Sequence, residues 1–455
     1  MDYDTINLFG LQPTDVQNLS ITRENDLIII SITLTQKIEV CPICGSLHSH
    51  VKDYKLRKIS HSLFNMNKSV IYYRCRRFKC IDCGKTFVES NPFSSRKQRI
   101  SNATILVVLK DCKRLNYTFS SIAEKNHISP STVINIFDQY VDMKPAHLPR
   151  VLSIDEFYLG TFKNKFACIF IDWESAQIID IYPSRKKYDL YSYMQYIDKK
   201  DFENVQYVSI DMNTTYRDFA YHHFKNIVVM VDSFHVVKNI NDALKNLRIH
   251  IMYKYDKDSV EYYLLKHWYY LLMMRKGDIE DNLPKFNKKI GYMINKPQIL
   301  SLILDIDPLL KKAYLWKENY LDFNEDYTFD TASIRYDELY NELKQMRINE
   351  FKDVISFLEN WKTEILNSFI YIDERRISNG PIESINGRIK VLMKTSLKYK
   401  NFERLRNRIM FCINKNSLPL MTNEKNSHKV EGKKRGKYKK INNQKKNCFR
   451  TIKGI

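Results

Sequence analysis

Two Cys-x-x-Cys-Gly knuckles, Cys41-Pro-Ile-Cys44-Gly and Cys80-Ile-Asp-Cys83-Gly, constrain the fold of this chain more than any other stretch. The spacing places two thiolates at the tip of one tight turn, and the glycine lets backbone N–H groups swing toward the sulfurs. Two such turns supply four thiolates, the donor set that suits tetrahedral zinc. The 35 residues between the knuckles can hold a hairpin, for which "SVIYYRCRRFKC" supplies a strand. Cys75 is a spare thiol that could replace Cys80, but Cys80 keeps the knuckle spacing and is preferred. The expectation is a zinc ribbon over 41–95 held by Cys41, Cys44, Cys80 and Cys83. A strand region over 1–40 precedes it, in which "DLIIISITL" is the clear strand.

Nine cysteines raise the question of compartment. The start, "MDYDTINLFG", has neither the basic start nor the apolar core of a signal peptide. No stretch approaches the ~18–20 apolar residues of a spanning helix. The thiols are therefore expected in a reducing, cytoplasmic setting, where cysteine clusters bind metal more often than they form disulfides. At 455 residues the chain should hold two to four domains, and 44% hydrophobic with 13% aromatic content is enough for real cores. Its 73 Lys+Arg against 52 Asp+Glu give +21, a charge that points to a polyanion, with nucleic acid the default partner and no membrane.

In "FSSIAEKNHISPSTVINIFDQY", Ile122, Ala123, Ile128, Val133, Ile136 and Phe137 fit two short helices around a tight turn. Ser129 suits an N-cap and Pro130 a first helical position. The spacing predicts a helix-turn-helix within 96–146, with Ser131, Thr132 and Asn135 exposed for the major groove. At the other end, the chain from Leu420 onward carries twelve Lys and Arg against Glu424 and Glu431. The basic tail assigned to 416–455 thus holds nearly half the net charge and reads as a disordered DNA-binding segment.

Between these lie α/β patterns. "RVLSIDEFYL", "KFACIFIDWE" and "QIIDIYPSR" read as an antiparallel meander, followed by helix, strand "VQYVSID", helix, strand "NIVVMVD" and helix. From 241 to 369 strand signals vanish, which predicts an all-helical insertion. There Leu264, Leu265, Trp268 and Leu272 read as core. Acids stand where strands leave the core: Asp155-Glu156, Asp211 and Asp232. A carboxylate there is unfavourable unless paired, metal-bound or solvated. In "ISNGPIESINGRIK", Asn379-Gly380 is a turn signal and Pro381 suits a helix start. Glu383, Asn386, Gly387 and Lys390 then share one helical face. Glu383 could thus bring a third acid to Asp155 and Asp211, and Mg²⁺ or Mn²⁺ accepts such ligands for work on a phosphodiester.

"SIDEF", "SIDMNTTYRDF", "VDSFHVVKNIN" and "SNGPIESINGRIKVLMKTSLKYKNFERLRNRI" together resemble the DDE transposases of bacterial insertion sequences, specifically the ISL-three family. The resemblance covers nearly the whole chain and implies a multidomain α/β fold. Its parts are the ribbon, the helix-turn-helix, an RNase H-like mixed-sheet core split into 147–240 and 370–415, and the helical insertion between them. It implies Asp155, Asp211 and Glu383 as the catalytic metal ligands. Asp232 and His235 match a D-x-x-H signature in a supporting role, and Asn386, Arg388 and Lys390 would meet DNA phosphates. The implied function is cleavage at terminal inverted repeats of an insertion sequence and joining of 3′-hydroxyls to target DNA, by a dimer or higher oligomer at the nucleoid. A DNA-binding regulator with an inactive core and an RNase H-like nuclease without strand transfer stay open. If Asp155 ends the central strand of such a sheet, "VQYVSID" should pair directly beside it and "VVMVD" one strand further out.

Overall fold

A computed structural model describes residues 6, 9–62, 67–95, 98–160, 162–395 and 399–420. The basic tail from 421 lies outside the described residues.

The N-terminal part is one sheet. Strands β1 (Val16–Glu24), β2 (Leu27–Leu34), β3 (Ser49–His61), β4 (Lys68–Cys80) and β5 (Thr86–Val88) are ordered β1-β2-β4-β3, with β5 also on β4. The hairpin foreseen between the knuckles is β3–β4, antiparallel from Ser49 opposite Cys80 to His61 opposite Ser69. Strand β2, from the segment before the knuckles, runs parallel to β4. One core of Ile30, Ile32, Ile59, Ile71 and Tyr73 therefore spans both segments. Cys75 lies in this core, its thiol donating to the Lys55 carbonyl at 3.1 Å, away from the other four cysteines.

Three helices follow: α1 (Asn102–Cys112), α2 (Phe119–Lys125) and α3 (Pro130–Tyr140). Ser129 caps α3 by accepting the Thr132 N–H at 3.2 Å, with Pro130 at the helix start, as the sequence suggests. Ile122, Ala123, Val133, Ile136 and Phe137 are buried together.

The second sheet holds β6 (Val151–Tyr158), β7 (Phe166–Asp172), β8 (Gln177–Tyr182), β9 (Tyr207–Ile210) and β10 (Val228–Val231), in the order β10-β9-β6-β7-β8. The meander β6-β7-β8 is antiparallel, whereas β9 runs parallel to β6 and β10 parallel to β9. Helices α4 (Lys187–Met194), α5 (Thr214–His223) and α6 (Ser233–Met252) connect or follow these strands. Alternation along each strand buries both faces. Leu152, Ile154, Cys168, Phe170, Val208 and Ile210 join a large core with α4, α5, α6 and the helices of the 260–367 stretch. Those include α7 (Pro308–Asp326) and α8 (Phe329–Met346). That stretch is not all helical: β11 (Lys285–Asn287) and β12 (Tyr292–Ile294) form a small hairpin. Its turn closes where the Gly291 N–H donates to Asn287 O at 2.7 Å, with Gly291 at φ 91°. Leu264, Leu265 and Leu272 are buried and Trp268 packs against the same core.

The opposite face, Ala167, Ile169, Ile171 and Phe157, is covered by α9 (Gly380–Thr395) and α10 (Phe402–Ile413). Ile382, Ile385, Ile389 and Leu392 form the buried stripe of α9. At about 1.5–3 kcal/mol for each fully buried aliphatic side chain, this stripe fixes the helix's rotation firmly. Helix α10 is a strap. Its Arg404 pairs with Asp138 on α3 at 2.6 Å, Arg406 Nε donates to Asp180 on β8 at 2.6 Å, and buried Arg408 donates to the carbonyls of Cys112, Arg114 and Tyr117.

Candidate active site and DNA-binding elements

Parallel pairing of β6 with β9 ends at Ile154 opposite Ile210. Asp155 and Asp211 are the next residues on these neighbouring strands, so both carboxylates sit where the parallel pair splays apart. Strand β6 itself runs on to Tyr158, paired only with β7, so Asp155 is not the strand terminus that the pattern suggested. Val231 of β10 lies opposite Ile210, which places Asp232 one strand further out, in the order expected.

These acids sit in a shared field. Burial pushes the Asp155 carboxyl up to about 6, and the charges of Asp211 and Glu156 add to it, opposed by the Glu156 N–H and by His235. Burial likewise raises Asp211, against the attraction of His235. His235 is raised by Asp232, whose Oδ2 lies 3.5 Å from its Nδ1, a long contact for a hydrogen bond. Tyr216 donates to Glu156 at 3.0 Å, and Arg185 pairs with the other oxygen of Glu156.

Helix α9 reaches this edge from the opposite face. The Asn386 side-chain N–H donates to Asp155 Oδ2 at 2.7 Å. Asn386 is therefore buried and engaged, and is not placed to meet DNA phosphates as the resemblance implied: the Ile stripe turns its face toward β6. One turn earlier Glu383 is exposed on the same side of the helix, as are Gly387 and Lys390, while Arg388 is half-buried. Sequence reasoning missed Asn379, taken only as a turn residue. Its side-chain oxygen accepts from Ser209 on β9 at 2.6 Å, its N–H donates to Asp232 Oδ1 at 3.1 Å, and its carbonyl accepts the Glu383 N–H at 2.9 Å. One buried asparagine thus ties β9, the end of β10 and the start of α9 together. Its position directly before the Gly-Pro helix start was the available signal.

The donor set fits a divalent cation. Asp211 Oδ1, Asp232 Oδ2 and Asn386 Oδ1 are buried oxygens without a hydrogen-bond partner, beside carboxylates whose ionisation burial opposes. A hard cation stabilises such oxygens in their charged form. Among the described residues, however, the acids do not gather with all their ligand oxygens within 4.8 Å, as the cysteines do. Carboxylates repel at such range.

Cys41, Cys44, Cys80 and Cys83 do gather to that distance, with Cys41 Sγ 3.7 Å from Cys83 Sγ and Cys44 Sγ 3.6 Å from Cys80 Sγ. Each knuckle closes as its glycine N–H donates to the first cysteine's carbonyl, Gly45 to Cys41 at 2.9 Å and Gly84 to Cys80 at 3.1 Å. Both glycines have positive φ, 75° and 68°, which a side chain would strain. The N–H groups of Cys44 and Ile43 lower the Cys41 thiol, whereas Cys44, against the Ser46 N–H, is pushed up to about 12 by the neighbouring thiols and burial, so the four sulfurs oppose one another's ionisation without a cation between them. The tetrahedral donor set is compatible with zinc. On α3, Ser131 and Asn135 are exposed, but Thr132 is half-buried, its hydroxyl 2.8 Å from Ser129 Oγ in the cap.

Comparison with known proteins defines the class. Residues 89–141 match a family described as the helix-turn-helix domain of transposase family ISL3, and residues 152–409 match the transposase model of that family. The protein is a DNA-binding transposase. More than half of its length lies in the second match, and the chain belongs to the ISL3 family of DDE transposases. It is also similar to the transposase for insertion sequence element IS1001 of Bordetella parapertussis, 19% identical over 377 residues, which cover 81% of this chain and 87% of that protein. Among the described residues no helix is long and apolar enough to cross a membrane.

Proposed function

We propose that this chain binds the terminal inverted repeats of its own insertion sequence, hydrolyses the phosphodiester at each end and joins the freed 3′-hydroxyls to target DNA. The observation that carries this reading is the placement of Asp155 beside Asp211 on adjacent parallel strands, with α9 tied to Asp155 through Asn386. Asp155, Asp211 and Glu383 would hold Mg²⁺ or Mn²⁺, which supplies a Lewis acid for the attacking and leaving oxygens. The chain's own side chains set the frame: Asn386 orients Asp155, while Asp232 and Asn379 fix the start of the Glu383 helix. His235 lies beside Asp232, which favours its protonated form.

On this reading the sheet is an RNase H-like core contributed by 147–240 and 370–415, with 241–369 as an insertion packed on one face. The ribbon over 41–95, the strand region before it and the helix-turn-helix over 96–146 recognise the ends, with Ser131 and Asn135 toward base edges. The tail over 416–455 adds sequence-independent affinity, because its many Lys and Arg side chains would contact phosphates and not base edges. Two ends joined to one target imply at least a dimer on DNA, at the bacterial nucleoid. Incubating the full chain with Mn²⁺, a labelled duplex bearing the element's own end and a plasmid target should yield label joined to plasmid. Cleavage without joining would support a nuclease, and binding without cleavage a regulator.

A further inference from the structure

Beyond the acids, at the same end of the sheet, lies an open cavity of about 210 Å³ lined by Lys163, Asn164, Lys165, Phe166, Arg185 and Lys186. It forms where the β6–β7 turn meets the segment after β8, held together as the Asn164 side-chain N–H donates to Pro183 O at 2.6 Å. Lys163, Lys165 and Lys186 are exposed, and among the described residues no carboxylate pairs with them. Arg185 is held more firmly. Its guanidinium stacks 4.0 Å from the centre of the Phe166 ring and pairs with Glu156, the neighbour of Asp155. Four cations around one concavity with a single partner carboxylate are a poor structural device, since like charges gathered without counter-ions repel. They make a good receptor for an anion with several oxygens, and the fixed guanidinium adds planar, directional donors.

We propose that this cavity binds a backbone phosphate of the DNA strand crossing the acids, and so sets how far the strand advances before cleavage. The inference rests on the transposase reading and adds to it a specific phosphate site. Phe166 pairs with Tyr158, three residues beyond Asp155, so the cavity stands roughly 10 Å from the acids along β6 at about 3.3 Å per residue. That is within reach of a phosphate only about one or two nucleotides along the same strand. A phosphate anchored there fixes the scissile bond against the carboxylates, and misplacement by an ångström can slow such a reaction on the order of 100-fold.

The test uses the full chain with Lys163→Ala, Lys165→Ala and Lys186→Ala combined, and a second variant with arginine at the same three positions. The probes are end duplexes bearing single neutral methylphosphonates within about five nucleotides of the cut. The alanine variant should cleave saturating DNA roughly 10- to 100-fold more slowly, with end affinity changed less than about 3-fold, and the arginine variant should recover. One methylphosphonate should slow the wild type and have no added effect in the alanine variant. Wild-type cleavage by the alanine variant, or equal sensitivity of both proteins to every methylphosphonate, overturns the proposal. If the wild type cleaves no end at all, the transposase reading fails on its own. Cross-linking in Ca²⁺ from azidophenacyl phosphorothioates then decides the cavity: label on the 163–186 segment supports it, and label only elsewhere overturns it.

Discussion

Asp211→Ala is expected to lower end cleavage by at least about 10³-fold while end binding survives, whereas Asp232→Ala should retain measurable cleavage, most clearly in Mn²⁺. Each aspartate follows an apolar strand and precedes a helix, so only their position in the sheet separates them. Asp211 follows the strand paired directly with β6, one strand spacing of about 4.8 Å from Asp155. Asp232 follows β10, a second spacing away, and one of its oxygens already accepts the Asn379 N–H. On the proposed reading, removing Asp211 would take away an oxygen that holds the divalent cation, whose contribution to charge stabilisation is several kcal/mol. Removing Asp232 leaves the buried Asn379 N–H unpaired, about 1–3 kcal/mol, and loosens the start of the Glu383 helix. Groups that orient metal ligands commonly lower activity about 10- to 100-fold when lost. Rates of labelled-end cleavage by the two variants decide the matter, and normal cutting by Asp211→Ala with none by Asp232→Ala would reverse the assignment.

The second large effect concerns the ribbon. Purified chain should carry one zinc, and Cys41→Ser should release it. Structural zinc contributes apparent binding energies of about 10–16 kcal/mol in small zinc-finger peptides, far above what the local packing can replace. Among the described residues that packing is Cys41, Phe78, Cys80 and Phe87, with Val51 and Cys83 at its edge. The core of Ile30, Ile32, Ile59, Ile71 and Tyr73 is separate from it. Loss of zinc should therefore open the knuckles to protease between 41–50 and 80–90 and weaken end binding, while the 150–413 region stays resistant. Metal analysis and limited proteolysis read both outcomes. An unchanged zinc content in Cys41→Ser would remove the four-cysteine site from the account.

Much of this architecture is legible because it is local. The knuckles announce their ligands by spacing, and the cap of α3 is written in Ser129-Pro130. The order of β6, β9 and β10 follows from short crossovers between parallel strands, which leave few alternatives. What periodicity cannot show is which neighbour a helical face meets. Glu383, Asn386 and Lys390 share a face, yet only packing against β6 turns Asn386 inward to Asp155. In "RLRNR", Arg404, Arg406 and Arg408 all bind within the protein. Their partners lie some 230 to 300 positions earlier in the chain, beyond any local pattern. The parallel pairing of β2 with β4 escapes for the same reason, and the β11–β12 hairpin because its strands are only three residues each.

Metal-directed backbone cleavage tests, without DNA or turnover, whether Asp155, Asp211 and Glu383 hold one divalent centre. Fe²⁺ replaces Mg²⁺, and ascorbate with peroxide then cuts the chain beside the bound ion. Breaks are expected near residues 155, 211 and 383 together, all three erased in Asp155→Ala and suppressed by excess Mg²⁺. Breaks absent from these positions, or persisting unchanged in Asp155→Ala, would contradict it.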